Sequence, residues 1–246
     1  MKKLLAKNTK LKQINLKKIK HDPNFLSTIK ILNSNKIPYW ACHGTLLGII
    51  RDKKLIEWDH DIDIAVWSFQ VKKEKIKKLM EKENFKIRPG YLIKDDLVSF
   101  DKSGGRVVDI NFYELLKSNN KITKAFVRFR VPKNNLMKLL DALSLSKKYQ
   151  GKYKFLINLF FPLKTFFFGI KNFLIKNNFF YKEIGYSEPY SYIGKTQTIK
   201  FKGLKIKIPI KPEKYLNHLY GKNWRIPKKN FIWYKDAKSI ISIDQT

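Results

Sequence analysis

The stretch "GTLLGIIRDKKLIEWDHDIDIAVW", residues 44 to 67, constrains this chain more than any other part of it. Its final third alternates: Asp61, Asp63, Ala65 and Trp67 fall on one side of an extended segment, and Ile62, Ile64 and Val66 on the other. That pattern predicts a strand with one apolar face. Carboxylates at 61 and 63 then project from the same side about 6.5–7 Å apart, close enough to repel each other and to converge on one cation. Such oxygen ligands suit Mg²⁺ or Mn²⁺, with waters and substrate phosphates completing the shell. The competing explanation is a sheet edge protected by acids. Three acids at period two, directly downstream of Gly-Thr in a lysine-dominated chain, argue against it.

Upstream, His43-Gly44-Thr45 leads into "LLGIIR", read as a tight turn opening a helix. Backbone N–H groups and a hydroxyl at such a place can hold a phosphate, so Gly44 and Thr45 are candidate phosphate contacts. Arg51, two turns along, can neutralise phosphate charge with its planar fork. A third carboxylate is expected from a neighbouring strand, and Asp109 in "RVVDINFY" is the candidate because it interrupts an otherwise apolar run. Asp101 and the Asp95-Asp96 pair are flanked by loop-like residues and are expected to be solvated. Asp59 has two readings: a member of the metal cluster, or a holder of the loop entering the strand through backbone hydrogen bonds. His21, His43, His60 and His218 show no metal-ligand spacing. Trp40, Trp58 and Tyr113 lie near the motifs, as core residues or as stacking partners for a ligand.

The rest of the chain supplies an α/β (α+β) frame. Residues 1–22 read as a basic arm, and 23–246 as one domain beginning with a helix marked by Phe25, Leu26, Ile29, Ile31 and Leu32. "KIPYWACHG" reads as a helix end and a short buried strand, "KKEKIKKLMEKEN" as an amphipathic helix, and Arg106 to Phe112 as a further strand after turns at Pro89-Gly90 and Ser103-Gly104-Gly105. "TIKFKGLKIKIPI" predicts a hairpin turning at Gly203, followed by a helix closed by Gly221.

Between them, residues 153–182 are dense in Phe and Leu but interrupted by lysine, so a membrane-spanning helix is not expected. Lys164, Lys171 and Lys182 fall within about 20° of one another on a helical wheel. Two readings follow: a helix lying in a membrane interface with its lysines toward anionic headgroups, or a pair of core helices covering the sheet, with Pro162 splitting them.

Composition adds two bounds. Lys and Arg outnumber Asp and Glu by 52 to 20, a charge that suits anionic partners and also matches the codon bias that enriches Lys, Ile, Asn and Phe together. Cys42 is the only cysteine, which excludes an intrachain disulfide and a thiolate zinc site. With no signal-peptide-like apolar stretch at the N-terminus, a cytoplasmic location is expected, with a peripheral position on the inner membrane face as its extension.

On "GTLLGIIRDKKLIEWDHDIDI" the sequence resembles the LicD and fukutin-related family of the nucleotidyltransferase (polymerase-β-like) superfamily, departing from it at Glu57, where the family usually has proline. "KFKGLKIKIPIKPEKYLNHLYGKNWRIP" is similar to the family's C-terminal region, with Tyr220, Gly221 and Trp224 at its Tyr-Gly-x-x-Trp sequence. The resemblance implies a nucleotidyltransferase-like mixed sheet flanked by helices, with a hydrophobic helical insertion and a C-terminal hairpin-helix region. It implies that Asp61, Asp63 and Asp109 bind the catalytic Mg²⁺ or Mn²⁺, with Asp109 foremost as proton acceptor. Gly44, Thr45 and Arg51 would lie near the donor phosphates. The implied reaction moves a substituted phosphate, such as phosphocholine or ribitol phosphate, from a CDP-linked donor to a sugar of a cell-surface glycan or lipid-linked saccharide, as in lipopolysaccharide biosynthesis. The rival activity on the same fold is nucleotidyl transfer to RNA or protein, which the basic charge would suit.

Overall fold

The computed structural model describes residues 22–88, 96–118, 121–145, 148–149, 152–177 and 180–242. Of the basic arm expected over 1–22 only Asp22 falls among them, and the Pro89-Gly90 turn and Asp95 lie outside them. Asp22 accepts from the backbone N–H groups of Asn24 and Phe25, capping helix α1 (Pro23–Ser34). The helix buries Phe25, Ile29, Ile31 and Leu32, the residues whose spacing predicted it.

An eight-stranded mixed sheet carries the fold. Strand β1 (Trp40–Ala41) leads into the short helix α2 (His43–Leu47) and a π-helical turn at Gly48–Asp52, and the chain then enters β2 (Asp61–Trp67). Helix α3 (Lys73–Lys82) buries Ile76 and Met80 and packs Leu79 against the same core, and β3 (Lys86–Ile87), β4 (Leu97–Asp101) and β5 (Val107–Ser118) follow. Strands β2 and β5 pair in parallel, from Asp61 opposite Val107 to Trp67 opposite Tyr113. That pairing needs a crossover, which α3 supplies. The other pairings are antiparallel: β4 on the far edge of β5, then β6 (Lys121–Pro132), β7 (Tyr181–Pro189) and β10 (Ile240–Ser242). Ile62, Ile64 and Val66 are fully buried, as the alternation of β2 requires.

Gly48 shows why the motif carries a second glycine. A Cβ there would meet the Lys54 carbonyl oxygen at 2.6 Å and the Ile56 nitrogen at 2.9 Å, both backbone atoms that cannot turn aside. Gly48→Ala is therefore expected to cost about 1–3 kcal/mol of stability, the range for overpacking. Urea unfolding checks it, and an unchanged midpoint would show that the loop at 54–56 gives way freely.

Asp96, expected to be solvated, is 5% exposed. Arg128 of β6 clasps it, with Nε 2.8 Å from Oδ2 and the Arg128 backbone N–H 3.1 Å from the same oxygen. A buried acid with so many donors is satisfied rather than stranded.

Beyond β6 lie α4 (Asn135–Leu143), α5 (Lys154–Leu159), a 3₁₀ turn at Phe161–Leu163 and α6 (Lys164–Lys176). Pro162 does split the apolar segment, but α5 and α6 are not core helices: Ile175 alone of their residues is buried. It joins Met137, Leu140 and Tyr181 in a small cluster separate from the main core. Nor do the three lysines share a face. Lys171 Nζ lies 3.1 Å from Asp141 Oδ1 on α4, and Lys182 belongs to β7. Among the described residues no helix is long and apolar enough to cross a membrane.

After α7 (Tyr190–Ile193), β8 (Thr196–Phe201) and β9 (Leu204–Pro209) form the expected hairpin. Its turn places Lys202 and Gly203 at φ of 50° and 78°, the left-handed pair that matches strand twist. Helix α8 (Pro212–Tyr220) ends at Gly221, whose φ of 84° favours glycine, and α9 (Trp233–Asp236) precedes β10.

Candidate active site

Because β2 and β5 run in parallel with Asp63 opposite Asp109, the three acids meet on one face of the sheet. One carboxylate oxygen from each of Asp61, Asp63 and Asp109 lies within 4.8 Å of the other two. Ligands on opposite sides of an ion with bonds of about 2.1 Å are about 4.2 Å apart, so this triad accommodates a divalent cation with at most a small closing movement. All three are carboxylate oxygens, the donor chemistry of a hard divalent cation. The acids form the floor of a cavity of about 280 Å³ that His43, Asp59 and Tyr186 also line.

The electrostatics agree with that fit. Burial, and next the charge of Asp61, raise the Asp63 carboxyl well above its ordinary range. The same two causes push Asp109 up to about 8 and Asp59 up to about 9. Arg88 and Arg106 offset only part of this at Asp109 and Asp59 respectively. Acids crowded in this way need either protons or a cation.

Local hydrogen bonds fix the geometry. The Gly44 backbone N–H donates to Asp63 Oδ2 at 3.1 Å, and the Asp63 N–H donates to Thr45 Oγ at 2.8 Å. The start of α2 and the start of β2 therefore hold each other. The Gly44 N–H thus meets a carboxylate, and Thr45, 2% exposed, accepts from the strand backbone. Gly44 does line the cavity, and a Cβ on it would collide with Asp59 Oδ2. The Ser99 hydroxyl donates to Asp109 Oδ1, an anchor the sequence did not announce.

Arg51 lies in the π-helical turn with its Nε and one terminal nitrogen each 2.8 Å from an oxygen of Asp52. It lines a second, larger cavity of about 850 Å³, together with Trp58, Tyr220, Trp224, Lys229 and Lys238. Gly44, Asp59, Tyr220 and Phe231 line both cavities, so the two adjoin. The Lys229 ammonium sits 5.6 Å from the centre of a Trp58 ring. Tyr220 and Trp224, from the C-terminal motif, thus reach the same place as the N-terminal motif. Asp59 stands at the junction, and its Oδ1 accepts from the His60 N–H, so it both holds the loop and faces the site.

His43 and Glu188 escaped sequence reasoning. His43 adopts φ of 42°, and its ring lies 4.4 Å from that of Tyr186. Nε2 is 3.0 Å from the Tyr113 hydroxyl and Nδ1 is 3.7 Å from Asp63 Oδ1. Burial lowers it to about 3, so the imidazole is neutral at physiological pH. The Tyr113 hydroxyl also donates to Glu188 Oε1 at 3.3 Å, and burial pushes that carboxyl up to about 8. Only the adjacency of His43 to Gly44 hinted at this network; Glu188 lies 75 residues from Tyr113 in sequence.

Among solved structures, that of the lincosamide antibiotic adenylyltransferase LnuA with lincomycin bound is similar over 78% of this chain and 81% of its own, at 14% identity and a TM-score of 0.40. No curated protein matches the sequence. The profile of the LicD/FKTN/FKRP nucleotidyltransferase domain matches residues 36–172, a span that holds all three acids, Gly44, Thr45 and Arg51. The chain belongs to the LicD/FKTN/FKRP family.

Proposed function

We propose that the protein is a divalent-metal-dependent transferase that moves a substituted phosphate, such as a phosphocholine or ribitol phosphate group, from a CDP-activated donor to a hydroxyl of a glycan or lipid-linked saccharide. The observation that carries this reading is the convergence of Asp61, Asp63 and Asp109 beside a larger cavity with aromatic and cationic walls. An ion held by the three acids would supply charge neutralisation for the pyrophosphate and its leaving CMP.

The chain's own residues do the rest. Trp58 and Tyr220 offer ring faces for the cytosine, with the buried Trp224 behind them, and Lys229 and Lys238 meet phosphate charge in the same cavity. Arg51, tied to Asp52, lends a fixed positive edge there. Gly44, lacking a side chain, leaves room for the Asp59 carboxylate to stand beside the other acids. Asp109 is committed to the triad and to Ser99. The proton of the attacking hydroxyl therefore goes to Asp59, at the junction of the two cavities. Residues 23–246 act as one catalytic unit on this reading, because the walls come from both ends of the chain.

Incubation with Mg²⁺ and labelled CDP-choline or CDP-ribitol, beside CTP and ATP, tests it. Release of CMP from a CDP-linked donor is expected, and Asp61→Asn should remove it. Release of pyrophosphate from CTP or ATP instead would favour nucleotidyl transfer to RNA or protein.

A further inference from the structure

We propose that α4, α5 and α6 form a docking face for an anionic lipid surface, made by an exposed phenylalanine stripe and a surround of lysines. This stands on the surface alone and is independent of the chemistry assigned to the acids. Surface helices normally turn polar residues outward. Helix α6 is inverted: Phe167, Lys171, Leu174 and Ile175 face the small core cluster and Asp141 of α4, whereas Phe166, Gly169, Ile170 and Phe173 form the outward stripe at i, i+3, i+4 and i+7. Phe166 and Phe173 are 64% and 61% exposed. The neighbouring α5 adds Phe155 at 83% and Leu159 at 69%, and Leu136 of α4 is exposed to a similar degree. Soluble monomers expose single large apolar side chains, but so many on three successive helices mark a surface that meets a partner.

Charge identifies the occupant. Residues 133–182 contain ten lysines and a single acid, Asp141, and that acid is already paired with Lys171 and the Tyr181 hydroxyl. An apolar face in a segment with this excess of lysine over acid is complementary to a layer with negative headgroups over acyl chains. Two copies of this chain placed face to face would instead bring like charges together. A duplex nucleic acid would use the lysines and leave the phenylalanines in water, and single-stranded bases stacked on the rings would still leave Leu136, Leu159 and Ile170 exposed. The lysine geometry differs from that of a simple amphipathic helix: Lys171 points inward, and the apolar stripe itself is the inserting edge.

The test is co-sedimentation of the full chain with phosphatidylcholine vesicles containing phosphatidylglycerol, against vesicles of phosphatidylcholine alone. Wild type is expected to partition at least about tenfold more strongly onto the anionic vesicles, and Phe155→Ser/Phe166→Ser/Phe173→Ser to lose at least about tenfold of that binding. The triple variant should unfold at the same temperature as wild type, because these side chains are exposed. A second variant, Phe166→Trp, should shift its fluorescence to the blue when anionic vesicles are added. Equal partition of wild type and the triple variant would overturn the proposal. So would a wild-type dimer dissolved by the triple substitution when neither protein binds vesicles. Transfer to a water-soluble acceptor should be the same in both proteins, so a failure here leaves the catalytic reading standing, and the converse holds.

Discussion

Asp63→Asn lowers transfer by at least about a thousandfold and, with metal chelated, makes the protein more stable above neutral pH. The two effects have one origin. Asparagine keeps an oxygen for the Gly44 N–H and fills the same volume, so the start of α2 and β2 stays in place. What disappears is a negative charge at the centre of the triad. Without a cation, the folded protein holds Asp63 protonated well above the ordinary carboxylate range, Asp109 up to about 8 and Asp59 up to about 9, whereas the unfolded chain releases those protons near pH 4. Between those limits the folded state binds more protons, so unfolding free energy falls as pH rises from about 4 to 8 or 9. His43 acts with the opposite sign at the acid end. Its value of about 3 in the fold, below that of the unfolded chain, removes stability as pH drops below about 6.5.

The ion-free protein should therefore be most stable in mildly acid buffer and lose roughly 2–4 kcal/mol by pH 8, with Mg²⁺ restoring the loss. In Asp63→Asn the alkaline slope should shrink and Mg²⁺ should restore little. Urea midpoints across this pH range, with chelator and with Mg²⁺, measure both. Equal stability of the ion-free wild type at pH 5 and pH 8 would mean that the acids are not under strain, and the cation reading would lose its physical basis.

How much of this was readable in advance depended on the distance over which each signal acts. The acids of β2 were legible because alternation is a local property of seven residues, and a strand leaves no choice about which side they share. Asp109 was legible because an acid in an apolar run demands a partner. The hairpin at Gly203 and the helix end at Gly221 followed from single residues with left-handed backbones. What failed was whatever depended on pairing across the sheet. Asp96 looked loop-like because Arg128, which buries it, comes from β6, and β6 acquires its position only by pairing with β5 and β7. Glu188 reaches Tyr113 by the same route. The outward stripe of α6 was hidden for a different reason. A helical wheel shows two faces but not which one meets a neighbour, and the Lys171–Asp141 contact decided that. The bond from the Asp63 N–H to Thr45 was hidden because a hydroxyl in a sequence carries no record of the strand N–H it accepts from.

Asp59→Asn separates catalysis from ion binding. It is expected to lower kcat by about two to three orders of magnitude, the range for a general base, while the Mg²⁺ concentration at half-maximal rate changes only a few-fold. Asp59 is outside the group of three converging oxygens, so the ion-binding set survives its loss. Its elevated value of about 9 arises first from burial and then from the charge of Asp61. Once that charge is offset, one of the two largest causes is gone, and the carboxyl titrates closer to the working pH, where it can accept a proton from a sugar hydroxyl. The wild-type rate should accordingly rise with pH along an acid limb, because the ionised form of Asp59 does the work. The Asn variant should show a low rate without that limb. Substitution of Asp61 predicts another pattern, loss of rate together with loss of the Mg²⁺ response. Should Asp59→Asn give that second pattern, the residue is a fourth ligand. Should it keep the wild-type rate and pH profile, the base is elsewhere, and Asp109, held by Ser99 at the edge of the triad, becomes the residue to substitute.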